Sequence, residues 1–179
     1  MTHRTELETP EYTFFWKGIF SQWHKTSFTV KGKTYNCCEQ WMMAQKAEIF
    51  GDTETLEAIM ASDSPREQKA LGRQVKGFDE ITWDMGKLLV VILGNYYRGL
   101  EDEEFRKALL ATDDRTIVEA SPYDRIWGNG FYADESLDHI SEWGENLLGD
   151  ALMRVRDALR KKFPHNNTEP GAPGEGSTT

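Results

Sequence analysis

Phe28-Thr29-Val30-Lys31-Gly32-Lys33-Thr34-Tyr35-Asn36-Cys37-Cys38-Glu39-Gln40-Trp41-Met42-Met43-Ala44-Gln45-Lys46-Ala47 carries a hairpin and a helix end to end. Phe28–Val30 and Thr34-Tyr35 are β-prone and flank a Lys-Gly-Lys turn, which predicts two short antiparallel strands. Asn36 then reads as a helix N-cap with Glu39 three residues on, the spacing of a capping box. The helix that follows has two faces. Trp41, Met42, Gln45 and Ile49 share one side, and Glu39, Met43, Lys46 and Phe50 recur at helical spacing on a neighbouring one.

Outward from this stretch the periodicity stays mostly helical. Asp52 predicts a cap, with Leu56, Ile59 and Met60 as the apolar stripe. Ser64-Pro65-Arg66-Glu67 combines a capping Ser, a Pro in the first turn and a Glu at the third position, and predicts a helix ending near Gly77. A long apolar helix is expected from Thr82 to Tyr97, with Met85, Leu88, Leu89, Ile92 and Tyr96 inward. Asp102 opens another helix, over Phe105, Leu109 and Leu110. Thr116–Ala120 is β-branched and short, hence a strand. Ser121–Tyr132 is a loop, and a last helix is expected over Ser141–Arg160. Together these segments predict a mainly α domain with a small β-sheet. Residues 1–12 read as a loose N-terminal leader, 13–162 as the domain, and 163–179, rich in Pro, Gly, Ser and Thr, as a disordered tail.

Composition narrows the function classes. The chain has 179 residues, which favours one domain, and a formal net charge of −9, which argues against a broad basic surface wrapped on duplex nucleic acid. A local basic pocket for a single phosphate group stays compatible with that charge. The cysteines, Cys37 and Cys38, are adjacent and predict no disulfide framework. The apolar run Leu88–Leu93 is too short to span a bilayer, and Met1–Pro10 lacks the apolar core of a signal peptide. The expectation is a soluble, cytoplasmic or otherwise intracellular protein. No phosphate-loop, dinucleotide or nucleophile-elbow motif is present. The four histidines are scattered, so neither a metal site nor a cofactor is expected.

The remaining chemistry is acid–base and nucleophilic. Glu39 lies one turn into a helix, where a carboxylate stays ionised easily and could orient a water or stabilise an oxocarbenium-like carbon. By pattern alone, a Glu at the third position of a capped helix is more often simply part of a capping box. Lys46, two turns on, could bind phosphate or attack a sugar aldehyde, or be a solvated lysine. Arg66, Lys69, Arg73 and Lys76 form a stripe that could hold a diphosphate or simply face water. In the loop after the last strand, Asp124 could bind ribose hydroxyls and Trp127 could stack on a base. Alternatively, Asp124 caps a local turn and Trp127 plugs the core.

In order and spacing these segments resemble the NADAR family. The resemblance rests on Tyr35–Ala47, Phe50-Gly51-Asp52, Leu71-Gly72-Arg73, Trp83, Leu109–Thr112, Val118–Gly128 and Trp143–Gly149. It implies a YbiA-like single domain with N-glycosidase activity on a ribose C1–N bond, most specifically removal of ADP-ribose from guanine bases. Ribosylamino-pyrimidine intermediates of riboflavin synthesis are the other implied substrates. A non-catalytic ADP-ribose or nucleotide reader is the rival. The expected partner is therefore an ADP-ribosylated nucleic acid or a nucleotide-like small molecule, with no membrane. The resemblance marks Glu39, Trp83 and Asp124 as functional, and Lys46, Glu119 and Trp127 fall in matched blocks. The expected catalytic set is Glu39, Asp124 and Lys46. The expected substrate contacts are Trp83, Trp127, Arg73, Glu119, Gln40 and Gly128. Gln40 stands where His often follows this Glu, and Gln22 where Asn is common.

Overall fold

The computed structural model of the chain describes residues 3–164. Strands β1 (Glu6–Glu8) and β2 (Tyr12–Phe15) pair antiparallel, and β2 pairs in parallel with β5 (Thr116–Glu119), giving the order β1-β2-β5. β3 (Phe28–Val30) and β4 (Lys33–Tyr35) form the separate hairpin read from the sequence, with Lys31 and Gly32 at positive φ in its turn. The helices are α1 (Cys38–Ile49), α2 (Thr53–Ala61), α3 (Pro65–Gly72), α4 (Glu80–Glu101), α5 (Glu103–Leu110) and α6 (Leu147–Lys162). Mainly α with a small sheet is the observed class. Glu6–Glu8, expected in the loose leader, instead form an edge strand. Phe163, expected in the tail, packs against the core under the Arg106 guanidinium. The remainder of the expected tail, from residue 165, lies outside the described residues.

The caps at Asp52, Ser64 and Asp102 form as expected, each side chain accepting a backbone N–H from the first turn. The cap of α1 does not. Cys37 occupies the position, its Sγ accepting from the Gln40 N–H at 3.4 Å. The Asn36 side chain is engaged elsewhere: its Nδ2 donates to the Ser62 carbonyl at 3.0 Å, and its Oδ1 accepts from Gln68 Nε2 at 3.0 Å. Helix α3 stops at Gly72, short of Gly77, because the chain turns to place the Lys76 N–H on Asp52 Oδ2 at 2.8 Å.

Helix α4 is the spine, packed against α1, α5 and α6. Its inward face matches the expected one in part, since Leu88, Ile92 and Tyr96 are half-buried against the core. Met85 is 85% exposed and Leu89 59%, while Trp83, Val90, Val91, Gly94, Asn95 and Arg98 are buried. Gly94 explains the orientation. A Cβ there would stand 2.3 Å from Trp41 Cδ1, so only glycine admits the indole, whose Nε1–H then reaches the Val90 carbonyl at 2.8 Å. Each fully buried ring or aliphatic chain in this seam contributes about 1.5–3 kcal/mol. Arg98 is also fully buried, stacked on Phe105 and bonded to Asp102 and the Ile19 carbonyl, so it is structural.

The expected last helix is two pieces. A 3-10 helix spans Ser136–Glu142, and α6 begins only at Leu147. Between them Asn146 takes a left-handed conformation (φ 51°). Its side chain extends the edge of β5, accepting from the Glu119 N–H and donating to the Ile117 carbonyl, both at 2.9 Å.

Candidate active site

One large cavity, about 890 Å³, opens where α1, α3, the segment after β2 and the loop after β5 meet. That volume lies in the usual range for small-molecule sites. Met42, Met43, Val91 and Leu148 make its apolar floor. Of the second face of α1, read from the sequence as Glu39, Met43, Lys46 and Phe50, the first three line it beside Met42 from the other face, whereas Phe50 packs on Phe78. Asp124 reaches the same cavity from the loop after β5. The two carboxylates, remote in sequence, therefore share one space.

Glu39 is 6% exposed. Its Oε2 accepts a hydrogen bond from Trp23 Nε1 at 3.3 Å, and its backbone N–H donates to the Gln22 carbonyl at 3.0 Å. Burial pushes its carboxyl above the ordinary range, while Lys69, the Trp23 N–H and Arg73 pull the other way. Asp124 is held by two backbone donors: Oδ1 accepts from Ile126 N–H at 2.9 Å and Trp127 N–H at 2.8 Å. The capping and functional readings of Asp124 are thus compatible, since the turn that uses Oδ1 aims the residue at the cavity. Trp127 likewise packs on the core and lines the cavity.

Lys46 sits in an aromatic slot, its Nζ 4.1 Å from the Phe78 ring centre and 5.6 Å from that of Trp83. Burial and the nearby Arg73 charge lower its pKa, which raises the fraction of free amine. The basic stripe divides. Lys69 and Arg73 line the cavity, whereas Lys76 pairs with Glu54 at 2.7 Å and Arg66 lies away from it. Glu119 emerges from the end of β5 into the same space, with its Oε2 sealed from solvent and without a hydrogen-bond partner.

Three of the expected substrate contacts stand behind the wall. Trp83 is buried under Lys46. Gln40 is buried and donates Nε2 to the Ile59, Met60 and Ser62 carbonyls, tying α1 to the end of α2. Gly128 packs on β5, where a Cβ would stand 2.8 Å from the Glu119 carbonyl oxygen. The cavity also contains residues that the sequence reading left out of the site: Trp16, Trp23, His24 and Tyr123. Trp23 and Tyr123 are 44% and 79% exposed and present their rings to solvent at the cavity. Their aromatic character was the available signal, but nothing local in the sequence ties residues 16–24 to residue 39. Among the described residues, no group of three or more His, Cys, Asp or Glu side chains is gathered to hold a metal ion, and no helix is long and apolar enough to cross a membrane.

The set offers the carboxyl groups of Glu39, Asp124 and Glu119, a lysine with depressed pKa and the cations of Lys69 and Arg73, all facing one volume. Such a set can stabilise positive charge on a sugar carbon, move protons and hold anionic oxygens. The NADAR domain profile matches residues 14–160. The chain is 38% identical over 166 residues to an N-glycosidase of Acanthamoeba polyphaga mimivirus, covering 84% of this chain and 98% of that protein. It is 27% identical over 149 residues to a riboflavin biosynthesis protein of Vibrio vulnificus, covering 83% of this chain but 37% of the longer relative. The NMR structure of E. coli YbiA superposes with a TM-score of 0.71 at 26% identity, covering 88% of this chain and 90% of that one.

Proposed function

The chain belongs to the NADAR domain family, and from that premise we propose that it is an N-glycosidase that hydrolyses ribose C1–N bonds, with ADP-ribose on guanine bases of nucleic acid as its substrate. The observation that carries this reading is the meeting of Glu39 and Asp124 in one cavity whose wall also carries Lys69 and Arg73. The mimivirus relative, named an N-glycosidase and covered over nearly its whole length, supports the bond type. Two cations without ion pairs among the described residues suit a diphosphate. Exposed Trp23 and Tyr123 at the rim suit a base that enters displaced from its stack, which reconciles the acidic chain with a nucleic-acid substrate.

In this mechanism the C1–N bond breaks as positive charge grows on the sugar. Glu39 stabilises that charge and orients the attacking water, and Asp124 holds ribose hydroxyls. A second route uses Lys46. A ring-opened ribosylamine is an imine, and the free Lys46 amine can attack its carbon, expel the amine and then release the sugar by hydrolysis of the new imine. The depressed pKa of Lys46 favours this route. Borohydride during turnover separates the two, because a sugar trapped on Lys46 establishes the second and unimpaired turnover by Lys46→Ala removes it.

The competing substrate is a ribosylamino-pyrimidine phosphate, favoured by the name of the Vibrio vulnificus relative. The deciding experiment incubates the protein separately with ADP-ribosylated DNA and with the pyrimidine intermediate. Released ADP-ribose from the first is the expected result. Turnover of only the second transfers the assignment, and stoichiometric binding without turnover of either makes the protein a reader.

A further inference from the structure

Three carboxyl side chains face the cavity, and their surroundings differ sharply. Glu39 lies in the first turn of α1, where the helix dipole favours negative charge, and Trp23 donates to it. Asp124 receives two backbone N–H groups on Oδ1. Glu119 has neither kind of support. Its Oε2 is sealed from solvent and has no partner. Its backbone, in contrast, is fixed on both sides: the N–H donates to Asn146 Oδ1 and the carbonyl accepts from the Asn129 N–H, both at 2.9 Å. A rigid strand end thus aims an unsupported carboxyl group at the cavity.

Three negative charges around one small volume are unfavourable, and a shared proton goes to the group whose anion is least stabilised. By its contacts that group is Glu119. We propose that Glu119 is the acid of the reaction, carrying the proton at neutral pH and delivering it to the leaving nitrogen as the C1–N bond breaks. The proposal rests on the N-glycosidase reading with water as the attacking group. The charged groups facing Glu119 are Asp124 from the loop, Glu39 from α1 and Lys69 from α3, with Lys17, Arg73 and Lys46 elsewhere on the same wall. Burial raises its carboxyl to about 8, Asp124 and Glu39 push the same way, and Lys69 alone opposes them.

The step balances within the site. The electron pair of the C1–N bond goes to nitrogen, which takes the Glu119 proton. Water adds its oxygen to C1 and gives a proton to the Glu39 carboxylate. Turnover leaves Glu119 ionised and Glu39 protonated, and exchange with solvent restores the starting state. Glu39 and Glu119 hold different roles because their hydrogen bonds differ, a division of labour familiar in glycoside hydrolysis.

Two measurements test this. Carbon-13 NMR of glutamate-labelled protein is expected to show a side-chain carboxyl titrating far above the ordinary range, absent in Glu119→Gln and retained in Glu39→Gln. A high-titrating resonance that survives Glu119→Gln and vanishes in Glu39→Gln overturns the assignment without touching the glycosidase reading. Kinetically, Glu119→Gln, a neutral isostere, is expected to lower kcat by about 10²–10⁴-fold and to abolish the alkaline limb of the pH profile. A kcat within threefold of the wild type, in a preparation where the wild type turns over, also overturns it. Wild-type protein that releases no sugar from either ribosylated substrate defeats the underlying glycosidase reading, and the NMR result still stands separately.

Discussion

The two faces of α1 are built on opposite rules. On the sealed face every polar group is answered: Trp41 Nε1 donates to the Val90 carbonyl, and Gln40 donates to three carbonyls and accepts the Asn36 N–H. On the cavity face Glu39 has a single side-chain donor, and Lys46 has rings beside it in place of a counter-ion. Buried polar groups are ordinarily satisfied, since leaving one unmade costs about 1–3 kcal/mol. The cavity face of the same helix instead leaves polar atoms of Glu39 and Lys46 open to the cavity, where under the proposed function the substrate meets them.

The contrast can be broken most severely at its centre. Glu39→Gln is expected to lower kcat by about 10³-fold or more while leaving the folded state at least as stable, because it removes a charge disfavoured by burial. Turnover near the wild-type rate would place Glu39 outside the mechanism. Trp41→Ala tests the sealed face. It should lower stability by about 3–5 kcal/mol through the cavity left against Gly94, read as a drop in the urea midpoint at constant m. Gln40→Leu sits between the two. Losing its donors from the end of α2 should cost about 2 kcal/mol, and activity should fall only as Glu39 shifts, so an effect on KM alone would instead argue for direct substrate contact.

Smaller effects sharpen the boundary. Arg73→Ala should raise KM for a diphosphate substrate by about tenfold, with Tm unchanged within about 1 °C, since Arg73 makes no ion pair among the described residues. An unchanged KM would locate the diphosphate elsewhere. The last prediction is a pH dependence of stability. Folding raises the Glu119 carboxyl from its ordinary value of 4.5 to about 8, so the native state keeps a proton that the unfolded chain has already released. Its stabilising contribution is complete below the unfolded pKa and is lost as pH climbs to the folded one. Relative to Glu119→Gln, wild-type Tm should fall between pH 5 and 8.5 by at least about 3 °C. Parallel curves for the two proteins would deny Glu119 its raised value.

Much of the fold was legible because it is encoded locally. Asp52, Ser64-Pro65 and Asp102 announce helix starts by short-range chemistry, and Lys31-Gly32 announces a turn. The failures lie where distant packing decides. Helix α4 is apolar on more than one side, and periodicity cannot tell which side meets Trp41; Gly94 settles it, and Met85 and Leu89 are left in solvent. Cys37 went unread as a cap because a thiol is a weak acceptor, yet Asn36 was already committed to Ser62 and Gln68. For the site, spacing alone favoured the cap over the catalyst at Glu39. The resemblance singled out both Glu39 and Asp124, but the third carboxyl environment depends on Asn146 clamping β5, which no local pattern shows.

The adjacent thiols have a practical consequence. Cys37 and Cys38 are each 1% exposed, with burial pushing their pKa values to about 11 and about 12. Neither presents a thiolate to an alkylating reagent at neutral pH. A cysteine introduced at exposed Met85, outside the cavity lining, can therefore be tagged with a maleimide dye in the native protein without first deleting the natural pair.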